Sequence, residues 1–159
     1  MPFRDGIMRL AVADARLFEA RTVEMLRDLV KSCADSETRG VIEEIMSEET
    51  EHVRRLDELV KRAGPEAAVK PDDEQMQREI PATPDTILPD GPIREKLRDL
   101  VEKEEASAMF YGLLAQRTPI RAVRRVFSEI AAMERSHAAK LREHLCRISG
   151  PAAPMEKTS

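Results

Sequence analysis

Apolar residues recur at three- and four-residue intervals in four blocks of the chain, the spacing that lines one face of an α-helix. The first block runs from about Asp5 to Lys31 through Leu10, Val12, Ala15, Val23, Leu26, Leu29 and Val30. A polar stretch from Ser32 to Ser36 closes it, and Asp35 or Ser36 is placed to cap the next helix. The second block continues to Ala63 through Val41, Ile42, Ile45, Met46, Val53, Leu56, Leu59 and Val60, and Gly64-Pro65 stops it. Six prolines from Pro65 to Pro92 exclude a continuous helix there and predict a long connection, with one helical turn around Asp73 to Arg78. Asp90-Gly91-Pro92 then opens a third helix as a cap followed by an early proline. Ile93, Leu97, Leu100, Val101, Ala108, Tyr111 and Leu114 mark its apolar face. Thr118-Pro119 ends that helix and starts a fourth, which runs to Ile148 and stops at Gly150-Pro151.

Four helices of roughly 25 residues, each about 38 Å long, have the dimensions of a four-helix bundle. Short turns make the first two and the last two helices antiparallel hairpins. The middle connection of about 25 residues reaches roughly 80 Å when extended, enough to run the length of the bundle and leave helices 2 and 3 parallel. The expected fold is therefore all-α, with one long crossover between helices 2 and 3. We expect a single domain over residues 1–150, two repeats at about 5–64 and 90–149 joined by the crossover 65–89, and a disordered tail at 151–159.

Composition narrows the classes open to such a chain. Aromatic residues make up 3% and Trp is absent, too thin a supply for the strands of a sandwich or barrel. A formal net charge of -4 argues against a nucleic-acid partner, which calls for a basic excess. The apolar runs are far shorter than a membrane span needs, and the opening MPFRDGIMRL lacks a signal-peptide core, so a soluble cytoplasmic protein with no membrane partner is expected. Cys33 and Cys146 form no CxxC and read as spare thiols.

A repeat changes the meaning of the 30 acidic residues. At an offset of 85 positions, Glu19 falls on Glu104, Leu26 on Tyr111, Ile45 on Ile130, Glu49 on Glu134, His52 on His137 and Leu56 on Leu141, with no gap. In each half the first Glu precedes the second by 30 residues, and a His follows three later. From Glu19 the chain rises about 13 residues to the turn and descends about 13 more to Glu49, so both carboxylates return to the same height. Glu49 and His52, one helical turn apart, point the same way. A single acid three positions before a His arises by chance about one time in five in a chain this acidic, but the doubled pattern in register does not.

Six groups thus converge: Glu19, Glu49, His52, Glu104, Glu134 and His137. They interrupt apolar faces, and four isolated carboxylates resist burial. Two metal ions resolve the conflict, since carboxylate oxygen and imidazole nitrogen suit iron, manganese or zinc. Glu43, Glu44, Glu48, Glu51, Glu102 and Glu105 are expected to face solvent beside Arg and Lys partners. His144, whose repeat partner is Leu59, is read as peripheral core or surface rather than a ligand. Met46, Met109 and Met133 are read as core filler.

Glu19, Glu49-Thr50-Glu51-His52, Glu104 with Tyr111, and Glu134-Arg135-Ser136-His137 make the chain resemble the ferritin-like superfamily, closest to rubrerythrin-like proteins, over about Asp5 to Ile148. The resemblance implies that Glu19 and Glu104 are terminal ligands on one metal each, that Glu49 and Glu134 bridge, and that His52 and His137 complete the separate metals. It implies two iron ions as cofactor. Tyr111 matches the tyrosine common beside such sites, and a core-only role is equally open. The place of the extra Glu of rubrerythrin peroxidases is taken by Ser107, with Thr22 as its repeat partner, and no rubredoxin-like CxxC module is present. The 30-residue interval is also similar to that of encapsulated ferritins, as if two of their hairpins were fused. A bacterioferritin-type haem ligand would fall at Thr50, so haem is not expected.

The expected function is di-iron oxidation of Fe(II) with dioxygen or peroxide, in iron handling or oxidative-stress defence, and the resemblance implies a homo-oligomer. A di-iron oxygenase acting on an organic substrate and a non-catalytic metal-storage subunit are the alternatives.

Overall fold

Four helices form where the four apolar blocks lie: α1 Pro2–Ser32, α2 Ser36–Ala63, α3 Ile93–Arg117 and α4 Arg121–Ser149. The computed structural model describes residues 2–63 and 80–150. The turn expected at 73–78 and the tail at 151–159 lie outside the described residues.

Local chemistry sets the boundaries. Asp35 caps α2: its Oδ2 accepts the Thr38 backbone N–H at 2.7 Å, and its carbonyl accepts that of Arg39 at 3.0 Å. The start of α3 differs from expectation. Asp90 makes no cap, and Pro92 stands at the cap position in extended conformation (φ −63°, ψ 152°) with its carbonyl accepting the Glu95 N–H at 3.1 Å. Proline's fixed φ suits that position, and Gly91 ahead of it turns the chain at φ 131°, which favours glycine. Between α3 and α4 the chain turns at Thr118, Pro119 and Ile120, and the helix starts at Arg121 rather than at the proline. The Arg124 side chain donates to the Thr118 carbonyl at 3.0 Å and clasps this turn. Gly150, at φ 70°, ends α4.

Side chains pack into two cores stacked along the bundle. Val12 and Ala15 from the first half of α1 meet Leu56 from the second half of α2, Tyr111 and Leu114 from the second half of α3, and Phe127 and Ile130 from the first half of α4. The other core joins Leu26 and Leu29, Ile42 and Ile45, Leu97 and Leu100, and Ala138 and Leu141, from the opposite halves of the same helices. These memberships fix the directions: α1 is antiparallel to α2 and α3, and α2 is parallel to α3. The crossover follows from this. Ile80 packs against the first core and Leu88 against the second, so the described part of the connection travels from one end of the bundle to the other. The architecture is the all-α, ferritin-like four-helix bundle expected from the sequence.

The seam between α2 and α4 carries one ion pair twice. Glu44 pairs with Lys140 at 2.9 Å, and Glu129 pairs with Arg55. Glu44 and Glu129, like Arg55 and Lys140, stand 85 positions apart. Met109 departs from expectation: it is 70% exposed, because five positions beyond Glu104 it has rotated well away from the inward face of α3. Cys33 is buried, Cys146 is exposed, and both are free thiols. Among the described residues no helix is long and apolar enough to cross a membrane.

Candidate metal centre

Each helix sends acid or imidazole to one level between the two cores. α1 contributes Glu19 and α3 contributes Glu104, one acid each, whereas α2 supplies Glu49 with His52 and α4 supplies Glu134 with His137. None of the six is more than 2% exposed. The arrangement follows from helix geometry, because a three-residue step brings Glu and His onto one face and the hairpins return their acids to one height.

The ligating atoms are close. His52 Nδ1 lies 2.9 Å from Glu49 Oε2, 3.2 Å from Glu134 Oε1 and 4.0 Å from Glu19 Oε2. His137 Nδ1 lies 3.1 Å from Glu49 Oε1 and 3.3 Å from Glu104 Oε2. The two rings stack with centroids 5.9 Å apart. Two groups result, Glu19, Glu49, His52 and Glu134, and Glu49, Glu104, Glu134 and His137, each with one ligand atom per residue within 4.8 Å of the others. Glu49 and Glu134 belong to both.

Tyr111 is fully buried and donates its hydroxyl to Glu19 Oε1, across from α3 to α1. It also packs edge-on against Phe110 and beside Phe127, so it is core and site neighbour at once. Ser107 and Thr22 turn their hydroxyls back to carbonyls of their own helices, Lys103 at 2.9 Å and Phe18 at 3.1 Å.

Electrostatics mark the cluster as short of positive charge. Burial first, then the neighbouring Glu49 carboxylate, pushes Glu19 well above the usual range, and the same two causes raise Glu134. Burial also raises Glu104, against a hydrogen bond from His137. Glu49 goes the other way: burial opposes its ionisation, but hydrogen bonds from His137 and His52 outweigh it and hold the carboxyl low. Burial works against the His137 cation, yet hydrogen bonds to Glu104 and Glu49 raise it to about 10. Among the described residues, Glu19 Oε2, Glu49 Oε1 and Glu134 Oε1 are buried and accept from no group outside the cluster. Among the described residues no lysine or arginine pairs with these four acids. Orphaned carboxylate oxygens beside two imidazoles are the donor set a divalent or trivalent transition metal takes.

One side chain outside the six departs from the sequence reading. Glu48 is not a solvent-facing acid: it is partly buried, and its Oε2 sits 2.6 Å from His137 Nε2. Its repeat partner is Met133, so the repeat itself gave no sign of it. The signal lay instead in the seam, since Glu48 stands one turn beyond Glu44 on the side of α2 that pairs with α4. His144 is fully buried, away from the cluster, 2.7 Å from the Thr38 hydroxyl. Glu43, Glu44, Glu51, Glu102 and Glu105 are exposed, as expected.

A ferritin-like bundle enclosing buried carboxylates and imidazoles defines the class of protein. A family model described as Rubrerythrin matches residues 24–145, and the chain belongs to the rubrerythrin family. The matched span includes five of the six clustered residues and begins downstream of Glu19. No curated protein and no solved structure matches the chain.

Proposed function

We propose that the protein is a di-iron oxidoreductase that oxidises Fe(II) with dioxygen or peroxide, in iron handling or oxidative-stress defence. The observation that carries this reading is that the two four-residue groups share Glu49 and Glu134. On it, Glu49 and Glu134 would be shared by two ions, Glu19 and His52 would complete one position, and Glu104 and His137 would complete the other. Two iron ions held there would each give one electron to an oxidant, Fe(II) becoming Fe(III) as dioxygen or peroxide takes up the pair. Manganese or zinc could use the same donors.

The chain's own part is preorganisation. Helix packing holds four acids at one level before any cation arrives, and their mutual repulsion favours a cation over water. Tyr111 holds Glu19 by one oxygen and leaves the other toward His52. Ser107 and Thr22, tied back to their helices, add no fifth carboxylate. This favours a six-ligand centre over the ligand set of rubrerythrin peroxidases.

Metal analysis with anaerobic Fe(II) titration of wild type and Glu49→Ala tests the reading. About two irons per wild-type chain, fewer in the variant, and consumption of dioxygen or peroxide with Fe(II) are expected. No transition metal in the protein, or unchanged stoichiometry in Glu49→Ala, refutes the ligand assignment. Iron-loaded protein that consumes neither oxidant is a metal-holding subunit rather than an enzyme.

A further inference from the structure

The six clustered groups obey the 85-residue repeat, but their surroundings do not. His137 Nε2 meets Glu48 Oε2 at 2.6 Å, and the other oxygen of that carboxylate takes a hydrogen bond from Lys140 Nζ at 3.2 Å. Lys140 also donates to Glu44 at 2.9 Å, so Glu48 is held in place from α4. His52, the repeat partner of His137, turns its Nδ1 to the cluster in the same way. Among the described residues its Nε2 has no hydrogen-bond partner. The residue that stands where Glu48 should repeat is Met133, which can accept at most a weak hydrogen bond.

We propose that Glu48 is a positioning residue that fixes the ring of His137 with Nδ1 facing the cluster, and so makes the two metal positions unequal. The inference rests on the metal reading above. An ionised carboxylate has no hydrogen to give, so His137 Nε2 keeps its hydrogen, and Nδ1, which faces Glu49 and Glu104, is the nitrogen whose hydrogen a metal displaces. A carboxylate on the far side of a ligating imidazole also makes the ring a better donor and holds its plane. The position completed by Glu104 and His137 therefore fills first, and the position completed by Glu19 and His52 fills second. The seam supplies the contrast: Glu44 with Lys140 repeats as Glu129 with Arg55, whereas Glu48 has no counterpart. A purely structural acid would serve Lys140 alone and would not need to reach His137.

Glu48→Met gives the second half's residue to the first, and Met133→Glu does the reverse. Anaerobic Co(II) titration, read by absorbance and calorimetry, follows the two binding steps without turnover. Nitrogen-edited NMR of the metal-free protein follows the His137 Nε2 hydrogen. Wild type is expected to bind in two resolved steps and to show an exchange-protected Nε2 hydrogen. Glu48→Met loses that signal and weakens the first step about 10- to 100-fold, leaving the second unchanged. Glu48→Gln, whose amide oxygen still accepts, restores most of both, and Met133→Glu strengthens the second step. Equal weakening of both steps, or no change in steps and signal, in Glu48→Met overturns the proposal while leaving the metal reading intact. Wild type that takes up no Co(II), Fe(II) or Zn(II) overturns both.

Discussion

Tyr111 gives its only hydroxyl hydrogen to Glu19, in a place where neither group meets water. Removing the donor and keeping the ring isolates the value of that bond. Tyr111→Phe leaves Glu19 Oε1 buried with one partner fewer, and a buried polar atom that loses its partner costs about 1–3 kcal/mol. Chemical denaturation of the metal-free variant should register that loss, with iron stoichiometry unchanged because no proposed ligand is removed. Unaltered stability would mean that Tyr111 matters to the centre only as an aromatic core residue. The six clustered residues were legible in the sequence because Glu and His fall at fixed intervals on otherwise apolar faces, a conflict visible without coordinates. Glu48 was not, because its role comes from a partner on another helix and runs against the repeat. Ser107 and Thr22 were legible as departures, but their return to backbone carbonyls is a rotamer choice that no spacing encodes.

The helices do two jobs at separate levels, packing at both ends and chemistry between. Leu26 and Leu56 are each fully buried, one in each core, on opposite sides of the acidic level. Leu26→Ala and Leu56→Ala should each destabilise by about 2–5 kcal/mol, since a cavity adds to the lost burial of each side chain. Sharing no core cluster, the two losses should add within about 0.5 kcal/mol in the double variant, measured by urea unfolding. A marked shortfall would show that the cores yield together through the centre. Helix existence and pairing followed from apolar spacing, and of the two residues placed to cap α2, Asp35 and Ser36, Asp35 does so. Helix starts at proline were less legible. Pro92 and Pro119 each precede their helix rather than opening it, since whether a proline lies inside the first turn depends on the chain's approach angle.

Across the whole molecule, folding gathers four acids that an extended chain keeps apart in water, and the stability of the metal-free bundle must reflect that. Glu19 and Glu134 have raised folded values, so their contribution is present below the ordinary value of 4.5 and is lost as pH rises through the raised ones. The His137 contribution is present below 6.5 and is lost as pH rises through about 10. Glu49 has the opposite sign, but its contribution is lost only as pH falls below its ordinary 4.5, outside this window. Metal-free protein should therefore lose thermal stability steadily between pH 6.5 and 10. A bound cation reverses the dependence, because it competes with the protons these groups hold and binds more tightly as they leave. The gap in melting temperature between metal-loaded and metal-free protein should widen with pH, and uptake should release protons into a weakly buffered solution. Glu49→Gln with Glu104→Gln removes the two carboxylates that hold the His137 cation, so the metal-free slope should flatten. A metal-free melting temperature that holds or rises over this range would show that the acids are not under mutual strain, and with that the physical reason for placing a metal among them would be lost.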